Sequence, residues 1–152
     1  MAKRHPSLIP LSQDHHHALA LAIRCRKQAL GQLNPGDPKA MKALAEEVKK
    51  FFLQNLKPHF EAEEKVLFPL IHLHSRDAEP LIAELLREHE RIRKHVTALD
   101  KESELSKTLF DLGDLLDGHI RQEERTLFPI FEQVVPDPAA KQAGGEIKGI
   151  LG

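Results

Sequence analysis

His59 and Glu63 lie four residues apart, and so do His119 and Glu123. On a helix that spacing puts both side chains on one face, where an imidazole nitrogen and a carboxylate can hold the same cation. One such pair alone is ordinarily a surface hydrogen bond or ion pair. Here each pair opens a longer phrase, HFEAEEKVLFPLI from His59 and HIRQEERTLFPIF from His119. The two phrases agree at the histidine, at two consecutive glutamates and at Leu-Phe-Pro.

Four segments with a period near 3.6 must position these groups. The first is expected to start after Pro10 with Ser12 as N-cap. It carries His15, Ala18, Ala22, Cys25 and Ala29 on one stripe and ends at Gly31. Asp37-Pro38 opens the second, with the proline in its first turn. Leu44, Val48, Phe51, Phe52, Asn55, His59, Glu63 and Val66 share its face, Pro58 is expected to kink it, and Pro69 to disturb it again. The third begins around residues 77–80 and aligns Ile82, Leu85, Leu86, His89, Ile92, Val96 and Leu99. After the polar connection DKESELS, the fourth aligns Leu109, Leu112, Leu115, Leu116, His119, Glu123 and Leu127. The reading is all-α: an up-down-up-down four-helix bundle over about 11–135 within a single domain, 1–152, with a flexible tail over 136–152 rich in Pro, Gly and Ala.

The core stripes then contain His15, His59, His89 and His119 with Glu63 and Glu123. Buried and unpaired, those groups would be costly, and a cation resolves the cost. Four nitrogens and two bridging carboxylates give eight donor contacts, short of the roughly twelve that two octahedral ions take, so positions stay open for small molecules. Imidazole and carboxylate suit iron, manganese, zinc or copper, and Cys25 offers only one thiol. His16 is the alternative to His15 on the first helix. His5, His72, His74 and His95 fall outside the stripes, and the phenylalanines read as core.

The rest of the composition removes other classes. A formal net charge of −1, with 22 basic and 23 acidic residues, gives no basic excess for nucleic acid or an anionic membrane. The N-terminal stretch lacks the apolar core of a signal peptide, no run reaches the length of a membrane span, and a single cysteine suits a reducing compartment. Cytoplasm is the expected location. No Glu-x-x-His pair of the ferritin-like carboxylate proteins is present, and without tyrosine a tyrosyl radical is excluded.

The order His…HxxxE…His…HxxxE, with Glu-Glu and Leu-Phe-Pro after each pair, resembles the hemerythrin-like (HHE cation-binding) family from about Pro10 to about Val135. The resemblance implies two non-haem iron ions, oxo- or hydroxo-bridged, with His15, His59, His89 and His119 as terminal ligands and Glu63 and Glu123 as bridges. It implies binding or sensing of dioxygen, nitric oxide, peroxide or redox state, or iron handling and iron–sulfur cluster repair. Oxygen-carrying members have a further histidine where this chain has Arg93. The ligand set is similar to that of the cluster-repair proteins, without their cysteine-bearing domain. A small di-iron oxidase or peroxidase, with Arg93 steering an anionic ligand, and a metal-free interaction bundle are the competing readings.

Overall fold

The computed structural model describes residues 3–101 and 103–152, so Glu102, in the connection that leads to the fourth helix, lies outside the described residues. Among these residues there are five helices and no strand.

A 3₁₀ turn, Pro6–Leu8, leads into helix α1, Ile9–Ala29. The start is earlier than Ser12, because Pro10 sits inside the first helical turn, where its missing N–H costs nothing. Ser12 is therefore no cap, and its hydroxyl donates to Glu124 Oε2 at 2.8 Å. Gly31, at φ 73°, takes the left-handed position that closes the helix. The Asp37 carboxylate caps the helix that begins at Pro38, accepting the Lys39 N–H at 2.9 Å.

Helix α2 runs over 38–74 and contains two widened π turns, Phe52–Leu56 and Glu63–Leu67. Helix α3 is Glu79–Ala98. Helix α4 runs over 105–134 and contains the π turn Glu123–Leu127. Each π turn comes just before a proline: Pro58, Pro69 and Pro129. A proline ring collides with the carbonyl four residues back and brings no N–H. One extra residue in the turn moves the ladder past that gap, so the expected kink at Pro58 takes the form of a wider turn.

The expected flexible tail is a fifth helix, α5, Asp137–Leu151. Ala140, Ala143, Gly144 and Ile147 form a buried stripe at helical spacing, and Ser7 Oγ donates to the Ala140 carbonyl at 2.6 Å. The small residues that read as loose let the helix lie close against the N-terminal turn. Burial of that stripe outweighs the intrinsic cost of glycine in a helix.

Helices α1 to α4 form the expected up-down-up-down bundle around two apolar layers. Ala18, Leu56, Ile92 and Leu116 belong to one layer. Leu11, Leu67, Leu85 and Leu127 belong to the other. Each helix crosses from one layer to the other, and the polar residues of the doubled phrase lie at the crossing. Helices α1 and α4 pack closest, at Gly113. A β-carbon there would stand 2.7 Å from the Ala22 carbonyl oxygen, which is backbone and cannot move aside. Gly113→Ala is expected to destabilise the chain by about 1–3 kcal/mol, measured by chemical denaturation; a neutral result would mean the two helices separate freely. No helix among the described residues is long and apolar enough to cross a membrane.

Candidate metal centre

All six expected site residues converge between the apolar layers. His15, His59, Glu63, His89, His119 and Glu123 are each at most 2% exposed. His16 faces outward. The candidate ligand atoms form two groups, each with its atoms within 4.8 Å of one another: His15, His59, Glu63 and Glu123, then Glu63, His89, His119 and Glu123. The two glutamates belong to both groups, so the arrangement is that of two adjoining cation sites sharing two carboxylates. Both glutamates are the first residue of a π turn.

The fit to cations can be tested on the polar atoms themselves. Nε2 of all four histidines and both oxygens of both glutamates are buried without a hydrogen-bond partner. Yet they lie close together. His15 Nε2 is 2.9 Å from Glu123 Oε1, and His89 Nε2 is 3.0 Å from Glu63 Oε1. His59 Nε2 is 3.3 Å from Glu63 Oε2, and His119 Nε2 is 3.2 Å from Glu123 Oε2. Such atoms are near one another but not aimed at one another. Donors about 2.1 Å from one ion and at right angles around it stand about 3.0 Å apart, so the spacing fits a ligand set better than a hydrogen-bond network.

The opposite nitrogen of every ring is tied to a carboxylate. Nδ1 of His15 lies 2.6 Å from Glu124, that of His59 3.1 Å from Asp14, that of His89 2.6 Å from Glu64 and that of His119 2.7 Å from Glu88. A carboxylate on Nδ1 fixes the proton there, leaves Nε2 free to bind a cation and raises its basicity. The pattern is crosswise. Asp14 precedes His15 yet serves α2, Glu88 precedes His89 yet serves α4, and the second glutamate of each phrase reaches back to α3 or α1. The four acids escaped the sequence reading, although the consecutive glutamates and the acid-histidine pairs Asp14-His15 and Glu88-His89 were their signal.

Electrostatics follow from this geometry. Burial opposes protonation of His59, but the charge of Glu63 and the Asp14 contact outweigh it and raise the ring to about 10. Burial likewise opposes protonation of His89 and His119. Contacts with Glu123, Glu63 and Glu64 raise His89 to about 11, and Glu123 with Glu88 raises His119 to about 9. His15 is shifted upward too, against burial, by Glu123 and Glu124. Burial pushes the Glu123 carboxyl up, and the charge of His119 overrides it and holds the group well below the usual carboxylate range. The carboxylates thus favour protonation of the four rings, so a cation that binds through Nε2 competes with protons.

Two further residues lie outside the ligand groups. The Arg93 guanidinium, on the flank of α3, is tied down there: it donates to Glu64 at 2.9 Å and to Glu90, and lies over the Phe60 ring. Cys25 is buried in the first apolar layer, its thiol pushed up to about 12 by burial, and belongs to neither ligand group. Removing one of the outer acids should loosen the ring it holds. Glu64→Gln is expected to weaken cation binding about 10–100-fold in competition with a chromogenic chelator. Unchanged affinity would show that the Nδ1 contact of His89 has no part in binding.

Fold and site together define a helical bundle with a buried histidine–carboxylate centre built for cations. Residues 9–131 match the family model described as the Hemerythrin HHE cation binding domain, and the chain belongs to that family. No curated protein and no solved structure matches it significantly.

Proposed function

We propose that the chain holds two non-haem iron ions, with His15 and His59 on one, His89 and His119 on the other, and Glu63 and Glu123 bridging. In this reading it binds or senses dioxygen, nitric oxide or redox state, or handles iron in stress response and iron–sulfur cluster repair. The observation that carries the reading is the set of eight buried polar atoms that converge without hydrogen-bond partners. Eight donors leave roughly four positions open on two six-coordinate ions. Iron at such a centre supplies reversible one-electron change and room for a small ligand. The protein's part is to exclude water, to hold each imidazole by its Nδ1 proton, and to keep the carboxylates dry. An all nitrogen and oxygen donor set without thiolate suits iron. A lone cysteine fits a reducing compartment such as the cytoplasm.

The test is metal content per chain on untagged protein from iron-replete cells. About two irons per chain supports the dinuclear reading; no metal, or one loosely held zinc, sinks it. With iron bound, the absorption change on exposure to dioxygen, nitric oxide or a reductant separates the sensing roles from iron handling.

A further inference from the structure

Two arginines from unrelated parts of the chain meet the centre in the same way. Arg4, in the segment before α1, lies 3.3 Å from Glu124 Oε1 and donates to the Glu124 carbonyl at 3.0 Å. Its guanidinium also lies over the Phe128 ring, 5.4 Å from the centroid. Glu124 holds Nδ1 of His15, and Phe128 is stacked on that same imidazole at 5.5 Å and 15°. Arg93, on α3, donates to Glu64 at 2.9 Å and lies over Phe60 at 5.5 Å. Glu64 holds Nδ1 of His89, and Phe60 is stacked on that same imidazole at 3.8 Å and 13°. Each guanidinium therefore touches both the carboxylate bonded to one ring and the aromatic face laid against it.

Only part of this arrangement repeats with the doubled phrase: Glu64 and Glu124 hold matching places in it, as do Phe128 and Phe68, which lies on His89 at 5.6 Å. Phe60 belongs to the first copy, where the second copy has Ile120, while Phe128 lies nine residues beyond His119. Arg4 lies outside the span that matches the family model. The segment carrying it is fastened to the end of α4 and the first turn of α5: the His5 N–H donates to Glu132 at 2.6 Å, and the Ser7 hydroxyl to the Ala140 carbonyl at 2.6 Å. Arg4 itself donates to Glu132 at 2.8 Å. Two different routes thus arrive at one device.

We infer that Arg4 and Arg93 are positioning residues, each setting one imidazole of the centre, His15 and His89 respectively, through the carboxylate on its Nδ1 and the ring stacked on its face. A guanidinium on the outer side of a carboxylate takes up part of its charge, so the carboxylate pulls less on the imidazole proton. The ring becomes a weaker electron donor than it would be with the carboxylate alone. Each arginine also adds a positive charge near the centre. Both effects act in one direction: they disfavour the more oxidised state of a bound metal, so losing either arginine lowers the midpoint potential. The potential rests on the iron reading above; the effect on the imidazole proton does not.

The experiment uses the full chain with Arg4→Gln, Arg93→Gln and the matching lysine variants. In the metal-free protein, the Nδ1 protons of His15 and His89 are followed by proton–nitrogen NMR. In the iron-loaded protein, iron content and midpoint potential are measured. Arg4→Gln is expected to move the His15 proton to lower field and leave that of His89 in place, and Arg93→Gln to do the converse. Each glutamine variant keeps its iron and shows a lower potential, and each lysine variant falls between it and the wild type. Should a glutamine variant not fold, its lysine counterpart carries the same comparison. Protons that do not move, or that move alike in both variants, overturn the inference, as does a potential unchanged with iron bound. Selective movement in a wild-type background that takes up no iron leaves the positioning role standing and removes the iron reading instead.

Discussion

Glu123→Ala is expected to strip the proposed centre of both cations, and His59→Ala to remove one. The difference follows from membership: the Glu123 carboxylate lies in both ligand groups, and His59 in one. Without Glu123, the halves keep two imidazoles each and share a single carboxylate, Glu63, whose one charge cannot balance two cations. Metal content is expected to fall from about two ions per chain to near zero for Glu123→Ala, and to about one for His59→Ala. The same substitution destabilises the metal-free chain. Glu123 is the buried counter-charge of His15 and His119, and removing one partner from such a cluster costs about 3–5 kcal/mol. Elemental analysis reads the first effect, and denaturation in the presence of chelator the second. Wild-type metal content in Glu123→Ala would refute the shared bridge.

The second large effect is that metal-free and metal-loaded protein respond to pH with different slopes. In the metal-free chain, His59, His89 and His119 titrate near 10, 11 and 9, above the 6.5 of an exposed imidazole. The folded state therefore binds more protons than the unfolded state between pH 6.5 and those values. Their contribution is complete below 6.5 and is lost as pH rises through 9 to 11, at up to about 1.4 kcal/mol per pH unit for each ring. Glu123 is shifted the other way, so its contribution holds above the ordinary carboxylate range and fades as pH falls through its lowered value. The metal-free protein should be most stable in mildly acid solution and weaken steadily toward pH 9. With cations bound, Nε2 carries no proton, so acid competes with the metal. The loaded protein should gain stability from pH 5 to 7 and then level off. Thermal melts across this range, with and without chelator, check both limbs; parallel curves would show that no cation occupies the imidazoles.

The six inner residues were legible because helical spacing and repetition are written directly into the chain. His15 and His89 could be placed because a histidine on an apolar stripe stands out. The outer acids were harder, since Asp14, Glu64, Glu88 and Glu124 serve rings on other helices, and no periodicity within one helix shows which neighbour a side chain will reach. The π turns are a compromise between proline and the hydrogen-bond ladder, and a proline reads equally as a kink. Helix α5 was missed for another reason. Its glycines disfavour a helix in solution, and only the groove beside Ser7 makes small residues an advantage. The start of α1 was misplaced because Ser12 resembles a cap, while its hydroxyl is used by Glu124 across the bundle.

The crosswise exchange of acids has a consequence for the birth of the protein. Synthesis proceeds from the N-terminus, so α1 and α2 emerge first, with His15, His59 and Glu63 but without Glu123 or Glu124. A nascent helical hairpin therefore lacks one of its two bridging groups and the acid that fixes the ring of His15. The second hairpin is equally incomplete, because His89 depends on Glu64 from the first. Neither hairpin by itself assembles a full ligand group, so a cation is expected to find its complete site only in the finished, docked chain. Half-made or misassembled copies then contain no complete cation site.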